Sequence, residues 1–107
     1  MKNDHEFEIA AEAALDELKH HLVVREENDQ VAFEVELHNG ALNVLFDHPG
    51  ARFVITPNRP MHQIWIAEPS ARFTLNWDSR TEKFILPRTG ETLIVLVERL
   101  IGERRAA

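Results

Sequence analysis

The chain reads as an α+β two-layer sandwich, with two helices packed on one face of an antiparallel sheet of about six strands. Three observations predict it. A helical apolar stripe opens the sequence, a run of short strand-like segments joined by turns fills the middle, and a second striped helix closes it. At 107 residues the chain has the length of one domain, taken to span residues 1–107. Its 44% hydrophobic and 28% charged residues are ordinary for a folded protein.

The first helix starts at Asn3 or Asp4, either of which can cap it. Glu6, three residues after Asn3, has capping-box spacing. Phe7, Ala11, Ala14, Leu15, Leu18 and Leu22 then trace one buried face. Arg25-Glu26-Glu27-Asn28-Asp29 reads as a solvated loop. From Val31 to His38 the pattern alternates, with Val31, Phe33, Val35 and Leu37 on one face and Ala32, Glu34, Glu36 and His38 on the other. Asn39-Gly40 is a hairpin signal, because both residues tolerate positive φ. Residues 41–46 return as the second strand, and the turn Asp47-His48-Pro49-Gly50 leads into a third at 52–55.

Pro57-Asn58-Arg59-Pro60 should break the chain, since proline has no amide donor. Residues 62–67, 72–77 and 83–86 supply three more strands. Thr89-Gly90-Glu91-Thr92 opens the last helix, whose core face is Leu93, Leu96, Val97 and Leu100, broadened by Ile94, Val95 and Ile101. Gly102 with Arg104-Arg105 suits its C-terminus. Strands joined by short turns are antiparallel neighbours, so the two helices cover one sheet face and leave the other open.

Several function classes are excluded. Without cysteine there is no disulfide, thiolate metal site or cysteine-held iron–sulfur cluster, so any sulfur chemistry belongs to a partner. The polar N-terminus is not a signal peptide and no apolar run approaches about 18–20 residues, so a soluble, cytoplasmic protein is expected, with no membrane partner. Residues 1–50 hold 12 acids against 3 bases and residues 51–107 hold 6 against 9. Net charges of −9 and +3 thus make up the total of −6. The acidic half argues against a nucleic-acid partner. No nucleophile elbow, phosphate-binding loop or dinucleotide glycine pattern is present.

Two constellations remain. Glu8, Glu12, Asp16 and His20 recur every four residues and form one ridge along a helix flank, with Lys19 the lone base in the helix body. Neighbouring like charges at this spacing cost about 0.2–0.5 kcal/mol per pair. Glu34 and Glu36 add carboxylates on the first strand, and Glu26, Glu27 and Asp29 add more in the loop that connects the helix to it. Such donors suit hard cations: iron, or Mn²⁺, Ca²⁺ and Mg²⁺. The same row also serves as an ordinary solvated helix face. None of His5, His20, His21, His38, His48 and His62 forms a zinc motif, and His20 is the best-placed ligand.

The second constellation is Pro60-Met61-His62-Gln63-Ile64-Trp65-Ile66-Ala67. If Ile64 and Ile66 face the helices, Trp65 stands on the open face beside Gln63, unless a neighbouring side chain shields it.

This segment resembles the central-strand signature of the frataxin family, roughly P-x-x-Q-[IV]-W-[LI]-[AS]. Asn39-Gly40-Ala41-Leu42-Asn43-Val44 is similar to that family's hairpin strand, and Arg88-Thr89-Gly90-Glu91-Thr92-Leu93 to the R-S-G-E-T segment before its last helix. The resemblance spans about residues 4–101. It implies a flat sheet under two helices, weak iron binding on an acidic ridge, and a cysteine desulfurase and an iron–sulfur scaffold protein as partners. Carried over by position, Glu8, Glu12, Asp16 and Glu34 fall on the ridge. Asn58, Gln63, Trp65 and Arg72 fall to the partner-binding surface.

The sequence departs from the family where Lys19-His20-His21 stands in place of a dense acidic cluster, and where Thr56-Pro57-Asn58 precedes the signature proline. The expected function is a non-enzymatic, iron-binding accessory protein of iron–sulfur cluster assembly, monomeric without iron, that regulates the desulfurase–scaffold complex or supplies it with iron. The alternatives are a metal-independent acidic interaction module or chaperone, and a ferroxidase.

Overall fold

Alternation in the middle of the chain and a 3.6-residue period at its ends produce the architecture directly. In the computed structural model the described residues are 3–29, 33–46 and 52–106. Helix α1 (Asp4–Asp29) is followed by β1 (Phe33–His38), β2 (Ala41–Phe46), β3 (Arg52–Asn58), β4 (Gln63–Ala67), β5 (Arg72–Asp78), β6 (Lys83–Ile85) and α2 (Leu93–Ala106). The strands form one antiparallel meander in sequence order, β1 to β6.

Each turn is made by the residues that tolerate it. Asn39 and Gly40 both take positive φ (52° and 80°) and close a two-residue hairpin between His38 and Ala41. In the β3–β4 turn the Asn58 Oδ1 accepts the Met61 amide at 3.0 Å, and His62 adopts φ 52°. Asp78 accepts the Thr81 hydroxyl at 2.8 Å and the Arg80 amide at 3.3 Å in the β5–β6 turn. Gly90, at φ 77°, donates its amide to the Leu86 carbonyl at 2.7 Å and turns the chain towards α2. The predicted turn at residues 47–50, with His48, and the strand start at Val31 and Ala32 lie outside the described residues.

Several boundaries differ from expectation. Helix α1 runs through the predicted loop to Asp29, so Glu26 and Glu27 sit on a helix. Arg25 gains a partner there: with His21 it grips Glu98 of α2, His21 Nε2 lying 2.6 Å from Glu98 Oε2. That tertiary clamp outweighs the modest helix propensity of Val23 and Val24. Pro57 does not break the chain but lies within β3 opposite Ile64. It is tolerated because the β2 ladder has ended at Ile55, leaving β3 paired only with β4. His62 belongs to the turn and not to the fourth strand. Helix α2 starts at Leu93, with the Thr92 hydroxyl oxygen accepting the Val95 amide at 3.4 Å, and continues through Gly102 to Ala106. Buried Ile101 and the Arg99–Glu103 pair (2.8 Å) hold the chain helical across Gly102, which has no left-handed φ.

Asn3 does cap α1, its Oδ1 accepting the Glu6 amide at 2.8 Å. Phe7, Ala11, Leu15, Leu18 and Leu22 then face Leu42, Val44, Phe53, Ile55, Ile64, Ile66 and Leu75 on the sheet, with Leu93, Leu96, Val97, Leu100 and Ile101 closing the layer from α2. Among the described residues no polar or charged side chain is buried in this core. Burial of such side chains contributes roughly 1.5–3 kcal/mol each.

Two predictions follow from this packing. Ile66 is 1% exposed between the layers, so Ile66→Ala should cost about 2–5 kcal/mol in chemical denaturation. An unchanged denaturation midpoint would remove it from the core. Glu91 receives Nε and Nη2 of Arg99 at 2.7 and 2.9 Å and the Thr89 hydroxyl at 2.8 Å. Arg99 first, and Thr89 next, hold its carboxyl below the usual value of 4.5. A depressed carboxyl stabilises the fold above its unfolded pKa and loses that contribution as pH falls through the folded one. The thermal midpoint should therefore drop on acidification below about pH 4.5. Glu91→Gln should lower the midpoint at neutral pH and flatten that acid limb.

Candidate functional site: an acidic helix flank and an open sheet face

The predicted site residues fall into two groups on opposite layers. Glu8, Glu12 and Asp16 stand on the flank of α1, the helix that packs closest to edge strand β1. All three line a shallow groove whose far wall is Leu37 and Gly40 of the β1–β2 hairpin and Pro57 and Arg59 at the end of β3. His20 continues the row one turn beyond Asp16 towards the C-terminus of α1 and is exposed. Glu34 and Glu36 do not join them. Phe33 and Val35 point towards the helices, so the intervening glutamates project from the opposite face of β1.

This separation decides what the carboxylates can do. Among the described residues no three His, Asp or Glu side chains are grouped to hold one ion. Glu8 is already engaged, paired with the guanidinium of Arg59. Oxygen donors strung along a helix suit a hydrated hard cation held by one or two carboxylates, and do not fit a resident multi-ligand metal centre. Arg59 was not anticipated as the partner of Glu8. The two residues are 51 positions apart in sequence, and only the turn geometry brings them together. A second tether lies beside it: the His62 ring stacks on Phe7 (5.1 Å, 9°) and its Nε2 is 2.8 Å from Asp4 Oδ1.

The other group shares the open face. Register places Trp65 between Thr56 of β3 and Thr74 of β5, and Gln63 between Asn58 and Asn76. Arg72 pairs across from Ala67 on the same face and is exposed. Trp65 is 43% exposed, while its neighbours Ile64 and Ile66 are fully buried beneath it. The indole Nε1–H donates to Gln63 Oε1 at 2.9 Å. The four predicted partner-binding residues thus lie on one surface, although the Asn58 side chain is turned into the β3–β4 turn. Sequence reasoning missed Asn76, which accepts the Gln63 amide at 2.9 Å. Finding it requires the β4–β5 register, which no local motif encodes.

Comparisons with known proteins agree with this architecture. The profile described as "Frataxin-like domain" matches residues 1–106. The iron–sulfur cluster assembly protein CyaY of Pseudomonas entomophila is 30% identical over 78 residues, covering 71% of this chain and 70% of that protein. The protein of the same name from Pseudomonas putida strain GB-1 is 28% identical over the same length. The solved structure of a frataxin from Psychromonas ingrahamii superposes with a TM-score of 0.72 at 20% identity, covering 95% of this chain and 90% of that one. That likeness shows the fold, an α+β sandwich. With the helix–meander–helix order, the Gln63-Ile64-Trp65 strand and a profile match over nearly its whole length, the chain belongs to the frataxin-like family, of the bacterial CyaY type.

Proposed function

We propose that this protein is a non-enzymatic accessory factor of iron–sulfur cluster assembly in the cytoplasm. It docks on the cysteine desulfurase–scaffold complex through its open sheet face and holds iron weakly along the α1 flank. The names of its CyaY relatives support the pathway. The observation that carries the docking role is Trp65, which stands in the open on a strand whose alternate residues form the centre of the core. Tryptophan exposed on a rigid support is a favoured interface anchor, since it loses little conformational freedom on binding.

Iron in this reading is cargo or effector and not a built-in cofactor. The Glu12–Asp16 pair and its neighbours attract a hydrated cation, and the charge lowers their mutual repulsion. The protein is a monomer without iron. One observation favours a second reading, a metal-independent interaction module: the Arg59 guanidinium neutralises Glu8 without any metal.

Two measurements separate these readings. Desulfurase turnover and cluster formation on the scaffold should change when this protein is added, and the change should depend on Fe²⁺. An effect independent of iron selects the second reading, and no effect at all removes both. In NMR titration with Co²⁺ or Fe²⁺, signals around Glu8–His20 should broaden first, ahead of those around Trp65. Equal broadening on both layers would eliminate the α1 flank as the cation site.

Trp65→Ala should weaken binding to the desulfurase–scaffold complex on the order of tenfold or more while stability stays within about 1 kcal/mol of wild type. A large loss of stability with unchanged binding would assign the indole to folding instead.

A further inference from the structure

The open face carries a hydrogen-bonded relay whose direction is forced. Trp65 Nε1–H donates to Gln63 Oε1, and Gln63 Nε2–H donates to Asn76 Oδ1, each at 2.9 Å. An indole nitrogen can only donate, so the Gln63 atom facing it must be the oxygen. The Gln63 amide nitrogen is thereby turned to Asn76, which must answer with its own oxygen. One donor-only group at the start thus sets the orientation of two side-chain amides that would otherwise be free to flip.

The relay leaves a surface rich in donors. Each amide oxygen already accepts one bond within the relay, and the fixed orientation turns the remaining N–H of Gln63 and the NH₂ of Asn76 outward as donors. Arg72, exposed on the same face, makes no ion pair or side-chain hydrogen bond among the described residues and adds a guanidinium. Asp78 of β5 shares this face, but both its oxygens are engaged in its own turn by the Arg80 amide and the Thr81 hydroxyl, and it stands opposite Lys83. Glu34 and Glu36 belong to β1, three strands from β4 and so on the order of 14 Å away. Around Trp65 the surface is therefore an apolar ring bordered by amide donors and the Arg72 guanidinium, with the Asp78 carboxylate held in its own turn.

We propose that Asn76 is a positioning residue for this surface. Through Gln63 it holds the Trp65 indole in one orientation and turns donors outward, so the partner segment seated here carries hydrogen-bond acceptors, namely carboxylates of an acidic segment. The proposal rests on the docking role given above and specifies the chemistry of what docks.

Two variants test it. Asn76→Asp keeps an acceptor for Gln63 but removes the outward NH₂ and adds negative charge. Asn76→Leu removes the acceptor altogether. In ¹⁵N NMR of the free protein, the Trp65 indole N–H should keep its shift in Asn76→Asp. In Asn76→Leu it should move upfield and exchange faster with water. An indole signal in Asn76→Leu identical to wild type would overturn the positioning role. Binding of Asn76→Asp to the desulfurase–scaffold complex should weaken about tenfold at low salt, and the loss should shrink as salt is raised. Binding of Asn76→Asp equal to or tighter than wild type would overturn the acidic partner segment. If the wild-type protein fails to bind the complex, the docking role and the partner chemistry fall together, and the indole measurement still decides the role of Asn76.

Discussion

A sheet with helices on one side only must sort its residues strictly by parity, and the rest of this molecule depends on that sorting. Along β4, Ile64 and Ile66 enter the core, so Gln63, Trp65 and Ala67 have nowhere to go but outward. Slipping the register by one residue would bury Gln63 and Trp65 and expose two isoleucines. Packing of Phe53, Ile55, Leu75 and Val44 around those isoleucines penalises that slip heavily, since each fully buried side chain contributes on the order of 2 kcal/mol. The core thus holds the position of the exposed surface. Trp65 is presented by strands that cannot easily move.

Charge organises what the core leaves free. The two helices are joined at one end by Glu98, which receives both His21 and Arg25. At the start of α2, Arg99 bridges Glu91 and Glu103 and anchors the turn that enters the helix. The first turns of α1 are fastened to the β3–β4 turn by Arg59 on Glu8 and by His62 on Phe7 and Asp4. Exposed pairs of this kind are worth little singly, about 0–1 kcal/mol. Their effect here is geometric. They set where the turn sits relative to the acidic flank, and they leave Glu12 and Asp16 beside a carboxylate that is already neutralised.

The acidic flank and the open sheet face are consequently distinct surfaces on opposite layers of the sandwich. Under the proposed function, a cation at α1 and a protein seated on β3–β5 would not compete for the same atoms. The donors around Gln63 and Asn76 face one way and the carboxylates of Glu12 and Asp16 the other.

The element order, the hairpin at Asn39-Gly40, the inward row on α1 and the outward position of Trp65 were all legible in the residues. Each is a local pattern: a period of two, a period of 3.6, or a turn that needs positive φ. The end of α1, the passage of β3 through Pro57 and the continuation of α2 across Gly102 were not legible. They depend on Glu98 meeting Arg25, on β2 stopping at Ile55, and on Arg99 reaching Glu103 beside a buried Ile101. The candidate site divides in the same way. Its acids and its tryptophan could be named from spacing alone. Which acid is neutralised, which carboxylates share a face, and the relay from Trp65 to Asn76 come from residues distant in sequence or from the pairing of separate strands, and only the packed layers set those distances.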